Sequence, residues 1–433
     1  MVISPFAAWM LAQDARALLT RLARVKPFAL LEPMVPAAGL QPAAQAATER
    51  YLVAGRRELR AMALGFLAWL RTAPLQQATA ADAQRRFTIL RLKFNAVLTH
   101  FDMFNDVISQ RSEHDTGVWL CGLDAVATDA LTLPGGYYEV PPLVCYLDRG
   151  VGAAIRRTRT RLPGGGENPV SIIRVPRERM VGSGIASSLI HEVGHQASAL
   201  LDLANSLRPL LRGMQRGGGL AWRLFERWIG EILSDFWSCA RLGVSATLGL
   251  MGVVSLPRPF VFRLSLDDPH PVPWIRVRLS CAMGQALYPH AQWDRLADLW
   301  DAYYPLDGLD APRRRLFAEL LAAMPGFVSL LVNHRPCALR PLAEGGARRG
   351  TAPAGAARRA IRGLAPGAGG HVPRGALAGV RGARPGSRER ADQPGRRKPP
   401  VREAADALGA AQCAGRRHGL RGRRKDVCRA LTA

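Results

Sequence analysis

The sequence lacks paired cysteines. Its seven cysteines, at positions 121, 145, 239, 281, 337, 413 and 428, are odd in number and widely spaced, and no CxxC pair occurs. This pattern disfavours a disulfide framework and a zinc cluster held by thiolates, and it is typical of a reducing compartment. No basic segment precedes the short apolar run in MVISPFAAWM. We therefore expect no secretory signal and a cytoplasmic location.

Long hydrophobic runs are also lacking. The stretch LGVSATLGLMGVVSLP is too short and too rich in glycine for a membrane span. The first predicted helix, 8–26, places Leu11, Leu18, Leu22 and Val25 on one face, with arginines elsewhere. Such a basic amphipathic helix can lie on a membrane, although most amphipathic helices pack against their own domain. Packing is the favoured interpretation, and peripheral membrane contact stays open.

Aromatic residues are absent from the last 98 residues, and lysine is scarce throughout, with 55 arginines against 4 lysines. Residues 336–433 contain 22 basic and 6 acidic side chains, a net charge of +16, whereas the remaining 335 residues carry +9. A segment of this composition cannot bury enough apolar surface to fold, so we predict a disordered basic tail. A shifted reading frame in a GC-rich gene would encode a segment of similar composition, and this alternative stays open.

The charge of the basic tail alone suggests nucleic acid as a partner, but the composition of the tail limits how it could bind. It offers no aromatic side chains on which bases could stack, so only salt-dependent, sequence-independent contact with nucleic acid is expected. We therefore predict no specific nucleic-acid partner. The oligomeric state is not determined by the sequence.

Apolar spacing predicts further helices at 47–72 and 81–111. In the second of these, His100 lies off the apolar stripe and is interpreted as a surface residue. The β-branched segments PLVCYL and NPVSIIRVPRE predict strands. Helical periodicity returns in 182–203 and 221–242. The expected fold class is mainly α (α+β), with a small strand region.

The sharpest motif is HEVGH, which contains His191, Glu192 and His195. Residues four apart share one face of a helix, so both imidazoles can bind one metal ion. Glu192 follows the first histidine and is placed to act on an activated water. A catalytic zinc site needs a third protein ligand.

The next predicted helix contains GEILSD, in which Glu231 and Asp235 are again four apart among apolar neighbours. Buried carboxylates need a partner. Glu231 is therefore predicted as the third zinc ligand. Asp235 is predicted to hold an imidazole N–H from behind, as carboxylates commonly do for metal-bound histidines.

HEVGH followed by ExxxD on the next helix resembles the gluzincin metallopeptidases, in which two histidines and a glutamate bind zinc. The downstream segment HPVPWIR, from His270 to Arg276, resembles the CAAX prenyl-protease and HtpX-type endopeptidases. The resemblance implies that His270 contacts the substrate oxyanion and that Arg276 orients an acidic neighbour. It also implies that PVSIIRV is the edge strand on which a peptide substrate lies.

These observations predict a zinc-dependent endopeptidase that acts on peptide or protein substrates. The expected domains are a helical region at 1–118, a zincin-like catalytic domain at 119–335 and the tail. Tyr137 and Tyr138 are weaker candidates than His270 for the oxyanion donor. The alternative is a catalytically silent scaffold that keeps the zincin fold and binds acidic partners through its tail.

Overall fold

Helices form most of the described chain and surround a small three-stranded sheet. The computed structural model describes residues 2–25, 34–133, 137–149, 152–162, 165–177, 183–215, 219–265 and 268–335, all within the unit Met1–Gly370. The predicted tail, 336–433, lies outside the described residues. The helices are α1 (Pro5–Arg24), α2 (Pro42–Thr72), α3 (Ala80–Ser109), α4 (His114–Leu131), α5 (Ser183–Leu200), α6 (Leu203–Gln215), α7 (Leu220–Leu242), α8 (Val244–Val254), α9 (Arg258–Val261), α10 (Pro273–Leu287), α11 (Gln292–Tyr303) and α12 (Ala311–Asn333). The strands are β1 (Leu143–Asp148), β2 (Ala154–Arg156) and β3 (Ser171–Pro176).

The first three helices pack together, as their apolar spacing predicted. Side-chain caps fix two of their starts: Ser4 accepts a hydrogen bond from the backbone of Ala7, and Thr79 forms a capping box with Asp82. On α1, Leu11 and Leu22 are buried. The apolar face of α1 therefore packs against its own domain, which confirms the favoured interpretation of that face.

The prediction that His100 is a surface residue is wrong. Its side chain is buried, and its Nδ1 lies 2.9 Å from the hydroxyl of Tyr51 on α2. The apolar stripe of α3 marks the most hydrophobic part of the helix. The buried face is wider than that stripe because α2 also covers the flank that carries His100.

The sheet has the order β1–β3–β2, with β1 parallel and β2 antiparallel to β3. In the register, Cys145 faces Ile173 on one side and Ile155 faces Ile173 on the other. The segment PVSIIRV therefore forms the central strand, so its assignment as the edge strand is wrong. The short strand β2, which the sequence pattern did not reveal, is an edge strand, and among the described residues it pairs with β3 alone.

The opposite edge of the sheet is closed by side chains. The backbone N–H of Cys145 donates to Asp124 (2.7 Å), and its carbonyl accepts from Arg111 (2.7 Å). Arg111 and Asp124 form a fully buried ion pair, with Nη1 and Oδ2 2.9 Å apart. Gln110 bonds both backbone groups of Leu147 in the same way. This edge of β1 therefore has no free backbone groups at Cys145 and Leu147 for a further strand.

The C-terminal helices form the main apolar core, in which α7 has more buried residues than any other described helix. Its side chains pack against α5, α6, α10 and α12. Among the described helices, α12 is long and apolar enough by length and composition to cross a membrane. One face of α12, which includes Phe317, Leu320 and Phe327, is buried in this core. The sequence analysis did not single out this helix.

Asp124→Ala should destabilise the protein by about 3–5 kcal/mol, because the variant leaves the Arg111 charge buried and the Cys145 N–H without its acceptor. Urea unfolding followed by circular dichroism measures the change. The matched control is Lys93→Ala, which removes a partly exposed ion pair with Glu58 (3.3 Å) and should change the free energy of unfolding by less than about 1 kcal/mol. Equal effects of the two substitutions would contradict the structural role of the buried pair.

Candidate metal centre

Helix α5 carries HEVGH and is fixed to the sheet by the residue that follows the motif. Gln196 is buried, and its Oε1 accepts from the hydroxyl of Ser171 (2.9 Å) and the backbone N–H of Thr158 (3.1 Å). Ser171 begins β3, and Thr158 follows β2. The side-chain amide of Gln196 therefore fixes the preceding residue, His195, relative to β2 and β3.

Gly194 allows α5 and α7 to approach closely. A Cβ at this position would lie 2.7 Å from Cα and 3.0 Å from the carbonyl oxygen of Ser234 on α7. Backbone atoms cannot give way as flexible side chains do, so only glycine fits here. Because Ser234 lies between Glu231 and Asp235, the close approach brings both carboxylates to the histidines of α5.

His191, His195 and Glu231 meet at one point between the two helices. The Nε2 of His191 lies 3.2 Å from Oε2 of Glu231, and the Nε2 of His195 lies 3.6 Å from Oε1. One ligand atom from each of the three residues falls within 4.8 Å of the others. The two rings are nearly perpendicular, with centroids 4.9 Å apart. The structure therefore brings together the three residues that the motif spacing predicted as metal ligands.

The hydrogen-bond chemistry of this cluster requires a positive charge. The Nδ1 of His191 lies 2.8 Å from Oδ1 of Asp235, a contact that assigns the ring proton to Nδ1. In the neutral ring, the lone pair of Nε2 then faces a carboxylate oxygen of Glu231, and two acceptors stand opposite each other. Either a second proton on His191 or a metal cation resolves this repulsion. Two imidazoles and a carboxylate are a donor set that suits Zn²⁺, so the residues present fit a zinc ion.

Asp235 and Arg276 hold the His191 ring at its Nδ1 side, away from Glu231. Arg276, on α10, donates to Asp235 through Nε (2.6 Å) and Nη2 (2.8 Å). Burial alone would lower the pKa of His191, but the carboxylates of Asp235 and Glu231 raise it to about 9. Burial alone would raise the pKa of Asp235, but Arg276 and His191 lower it to about 2. Asp235 therefore stays ionised and fixes the orientation of the His191 ring.

Glu231 is ionised for a related reason. Burial would raise the pKa of its carboxyl group, but hydrogen bonds and charge from His191 and His195 hold that pKa well below the usual range. The carboxyl group of Glu231 is therefore ionised at neutral pH.

Glu192 is buried and lines an open cavity of about 130 Å³ beside the histidines. No hydrogen bond joins its carboxylate to another described residue, so its oxygens are available to a bound molecule. The same cavity is lined by Gly152 and Ala153, which precede β2, and by the apolar side chains of Leu250 and Val253 on α8. The cavity therefore lies between His191, the segment that leads into β2 and an apolar wall.

His270 also reaches the cluster. Its Nε2 lies 3.3 Å from Oε2 of Glu231, and its Nδ1 lies 2.7 Å from Oδ1 of Asp268. Tyr137 and Tyr138 do not line the cavity. The hydroxyl of Tyr138 donates instead to the carbonyl of Leu131 at the end of α4. Of the three candidate oxyanion donors, the structure brings only His270 to the site.

Sequence reasoning missed several residues that build the site. Gly194 and Gln196 lie inside or directly after the HEVGH motif, but a motif does not show which neighbour a side chain meets. Asp268 lies two residues before His270, and this DxH spacing is a local signal that could have been used. Leu250 and Val253 belong to a uniformly apolar helix, so no sequence pattern separates the two that line the cavity.

A larger cavity, of about 1040 Å³, lies on the other face of the sheet. Tyr146, Ile172 and Arg174 line it from the strands, and Asp102 and Asp106 line it from α3. None of the predicted site residues contributes to it.

Comparisons of the chain with protein-family models, curated proteins and solved structures found no match.

Gly194→Ala should separate α5 from α7 and weaken metal binding at least tenfold, because the ligands lie on both helices. The overpacked contact should also cost about 1–3 kcal/mol of stability. Competition with a chromophoric zinc chelator measures the Kd. Gly213→Ala on α6 is the control, since a Cβ there meets nothing within 4 Å; it should leave the Kd unchanged. Wild-type affinity in Gly194→Ala would show that the close approach is not required.

Proposed function

We propose that the protein is a zinc-dependent endopeptidase that hydrolyses peptide bonds with an activated water. The observation that carries this proposal is the convergence of His191, His195 and Glu231 beside a buried carboxylate, Glu192, that no described group engages in a hydrogen bond. A site that only holds a structural zinc is normally closed by four protein ligands. Here three candidate ligands converge, and one of them, His191, borders an open cavity together with Glu192, which supports a catalytic role for the site.

The metal ion would act as a Lewis acid that makes water acidic near neutral pH and polarises a peptide carbonyl. Glu192 accepts the proton of the attacking water and then delivers it to the leaving amine. His270 donates a hydrogen bond to the oxyanion that develops on the substrate carbonyl. Asp235, held by two hydrogen bonds from Arg276, keeps His191 in the tautomer whose Nε2 is free for the metal.

The substrate is proposed to be an extended peptide that adds to the open edge of β2. Backbone hydrogen bonds to an edge strand bind a peptide without regard to its sequence. Gly152 and Ala153 lead into β2 and line the cavity with Glu192. Because Gly152 has no side chain and Ala153 has only a methyl group, they leave room for a substrate backbone. Leu250 and Val253 form the apolar wall. We therefore expect cleavage of unfolded proteins, with an apolar side chain next to the scissile bond.

Glu192→Gln tests the chemistry separately from metal binding. The substitution keeps the size of the side chain and removes the base, so zinc content should equal that of the wild type. Cleavage of unfolded casein should fall by a factor of about 10² to 10⁴. In contrast, Glu231→Ala removes a ligand and should lower zinc content and cleavage together.

Mass spectrometry of casein fragments, with and without a chelator, gives the activity, and metal analysis gives the occupancy. Undiminished cleavage by Glu192→Gln would place the chemistry elsewhere. A wild-type protein that binds zinc and cleaves nothing would favour the silent scaffold. Full zinc occupancy in Glu231→Ala would mean that another residue is the third ligand, and the candidates are Asp235 and His270, whose Nε2 lies 3.3 Å from Oε2 of Glu231.

His270→Ala should keep wild-type zinc content and lower kcat more than it raises KM. The reason is that an oxyanion donor acts mainly in the transition state. Steady-state kinetics on a fluorogenic peptide measures both constants. His290→Ala, at an exposed histidine before α11, is the control and should change neither constant. Loss of zinc from His270→Ala would identify His270 as a ligand and contradict its assignment as a donor.

A further inference from the structure

One end of the N-terminal helices exposes a group of apolar side chains. Phe6, Trp9 and Met10 of α1 are 71%, 54% and 44% exposed, and Leu75, in the turn between α2 and α3, is 86% exposed. The rings of Phe6 and Trp9 stack with centroids 6.1 Å apart. We call these four residues the apolar tip. Exposed apolar groups of this size mark interaction surfaces in soluble proteins.

The four residues lie at the same end of the helices. Phe6, Trp9 and Met10 are three and four residues apart and so share one face of α1. The backbone N–H of Ile3 donates to the carbonyl of Ala78 (2.8 Å), which fixes the start of α1 beside the turn that carries Leu75. The apolar tip is therefore distinct from the buried face of α1, which is already used for packing.

Arginines surround the apolar tip. Arg71 lies in the last turn of α2, and Arg85 and Arg86 lie in the first turns of α3; all three are exposed. Only Arg85 has an ion-pair partner among the described residues, Asp82 at 3.7 Å. The guanidinium of Arg86 lies over the ring of Trp69, 4.3 Å from its centroid. The rim is therefore positively charged and favours an anionic partner.

Within the described part of the chain, no segment covers the apolar tip. Val25 and Met34, which flank residues 26–33, both pack against the cluster of α2, α3 and the sheet. They lie at the other end of α1, a helix of 20 residues that is about 30 Å long. The composition of residues 336–433, with a net charge of +16 and no aromatic side chain, does not complement an apolar surface with an arginine rim.

We propose that the apolar tip inserts into the interfacial region of an anionic lipid bilayer, with Arg71 and Arg86 against the headgroups. Tryptophan and phenylalanine beside basic residues form the combination that binds at this boundary, where the ring is buried and the polar atoms stay hydrated. Anionic headgroups supply the charge complementary to the rim. The apolar face of α1 that the sequence suggested for membrane contact is not involved, because Leu11 and Leu22 on that face are buried.

The test uses the full chain with vesicles of phosphatidylcholine alone or with about 30% phosphatidylglycerol, at an ionic strength of about 0.15 M, at which charge contacts with the headgroups are only partly screened. Lipids brominated in the acyl chain quench tryptophan fluorescence only at short range. Wild-type emission should be quenched on anionic vesicles, and Trp9→Phe should remove that quenching. Trp119→Phe is the matched control, because Trp119 on α4 is also exposed (38%); it should keep the quenching.

Vesicle sedimentation gives the affinity. The double variant Phe6→Ser/Leu75→Ser should lower partitioning onto anionic vesicles about tenfold or more, since it removes two large apolar contacts. Arg71→Glu should lower it as well. Leu299→Ser/Tyr303→Ser, on the exposed side of α11, should leave partitioning unchanged. Thermal unfolding checks that each variant is folded.

Two outcomes would overturn the proposal. Sedimentation that persists in Phe6→Ser/Leu75→Ser, without quenching specific to Trp9, would show that the basic tail alone binds lipid. The second outcome is a wild-type protein that is a dimer, does not bind vesicles and becomes a monomer in Phe6→Ser/Leu75→Ser. That result would show that a second copy of the chain covers the apolar tip. Neither outcome depends on the proposed peptidase activity.

Discussion

The carboxylate of Glu231 faces the Nε2 atoms of two histidines on a neighbouring helix, and the architecture around it follows from that contact. A carboxylate oxygen lies 3.2 Å from an imidazole nitrogen whose ring already donates to Asp235 through its other nitrogen. Either a second proton on the ring or a metal cation must relieve the repulsion between these two acceptors. The charge cannot be screened by bulk water, because these side chains are mostly buried. A site of this kind is stable only when its charges alternate and its geometry is tightly held.

The surrounding residues meet both conditions. Gly194 permits the two helices to approach, and Gln196 fixes α5 to the sheet. Arg276, from a third helix, supplies the positive charge that keeps Asp235 ionised and aimed at His191. Charge therefore alternates from Arg276 to Asp235, His191 and Glu231 across three helices. The large apolar core around α7 supplies the rigidity that this row of buried charges needs.

The helices and the ligand cluster could be predicted from sequence because both depend on local geometry. Residues four apart share a helical face, so HEVGH and ExxxD each present two side chains to one side, wherever the helix packs. The predictions that were wrong concern residues whose burial or pairing depends on neighbours distant in sequence. His100 is buried by α2, and PVSIIRV is a central strand because the three-residue strand β2 pairs beside it. A strand of three residues is too short to show the two-residue alternation of a β-strand. The exposed face of α1 could not be told from its buried face before the packing of the helix was known.

Metal analysis of the full-length protein, combined with zinc X-ray absorption spectroscopy, tests the central claim most directly. We expect one zinc per chain after purification and dialysis, with nitrogen and oxygen ligands, the scattering signature of two imidazoles and no sulfur. Zinc bound through sulfur would place the site elsewhere in the chain. A folded protein that takes up no zinc on titration would contradict the assignment of His191, His195 and Glu231 as a metal centre.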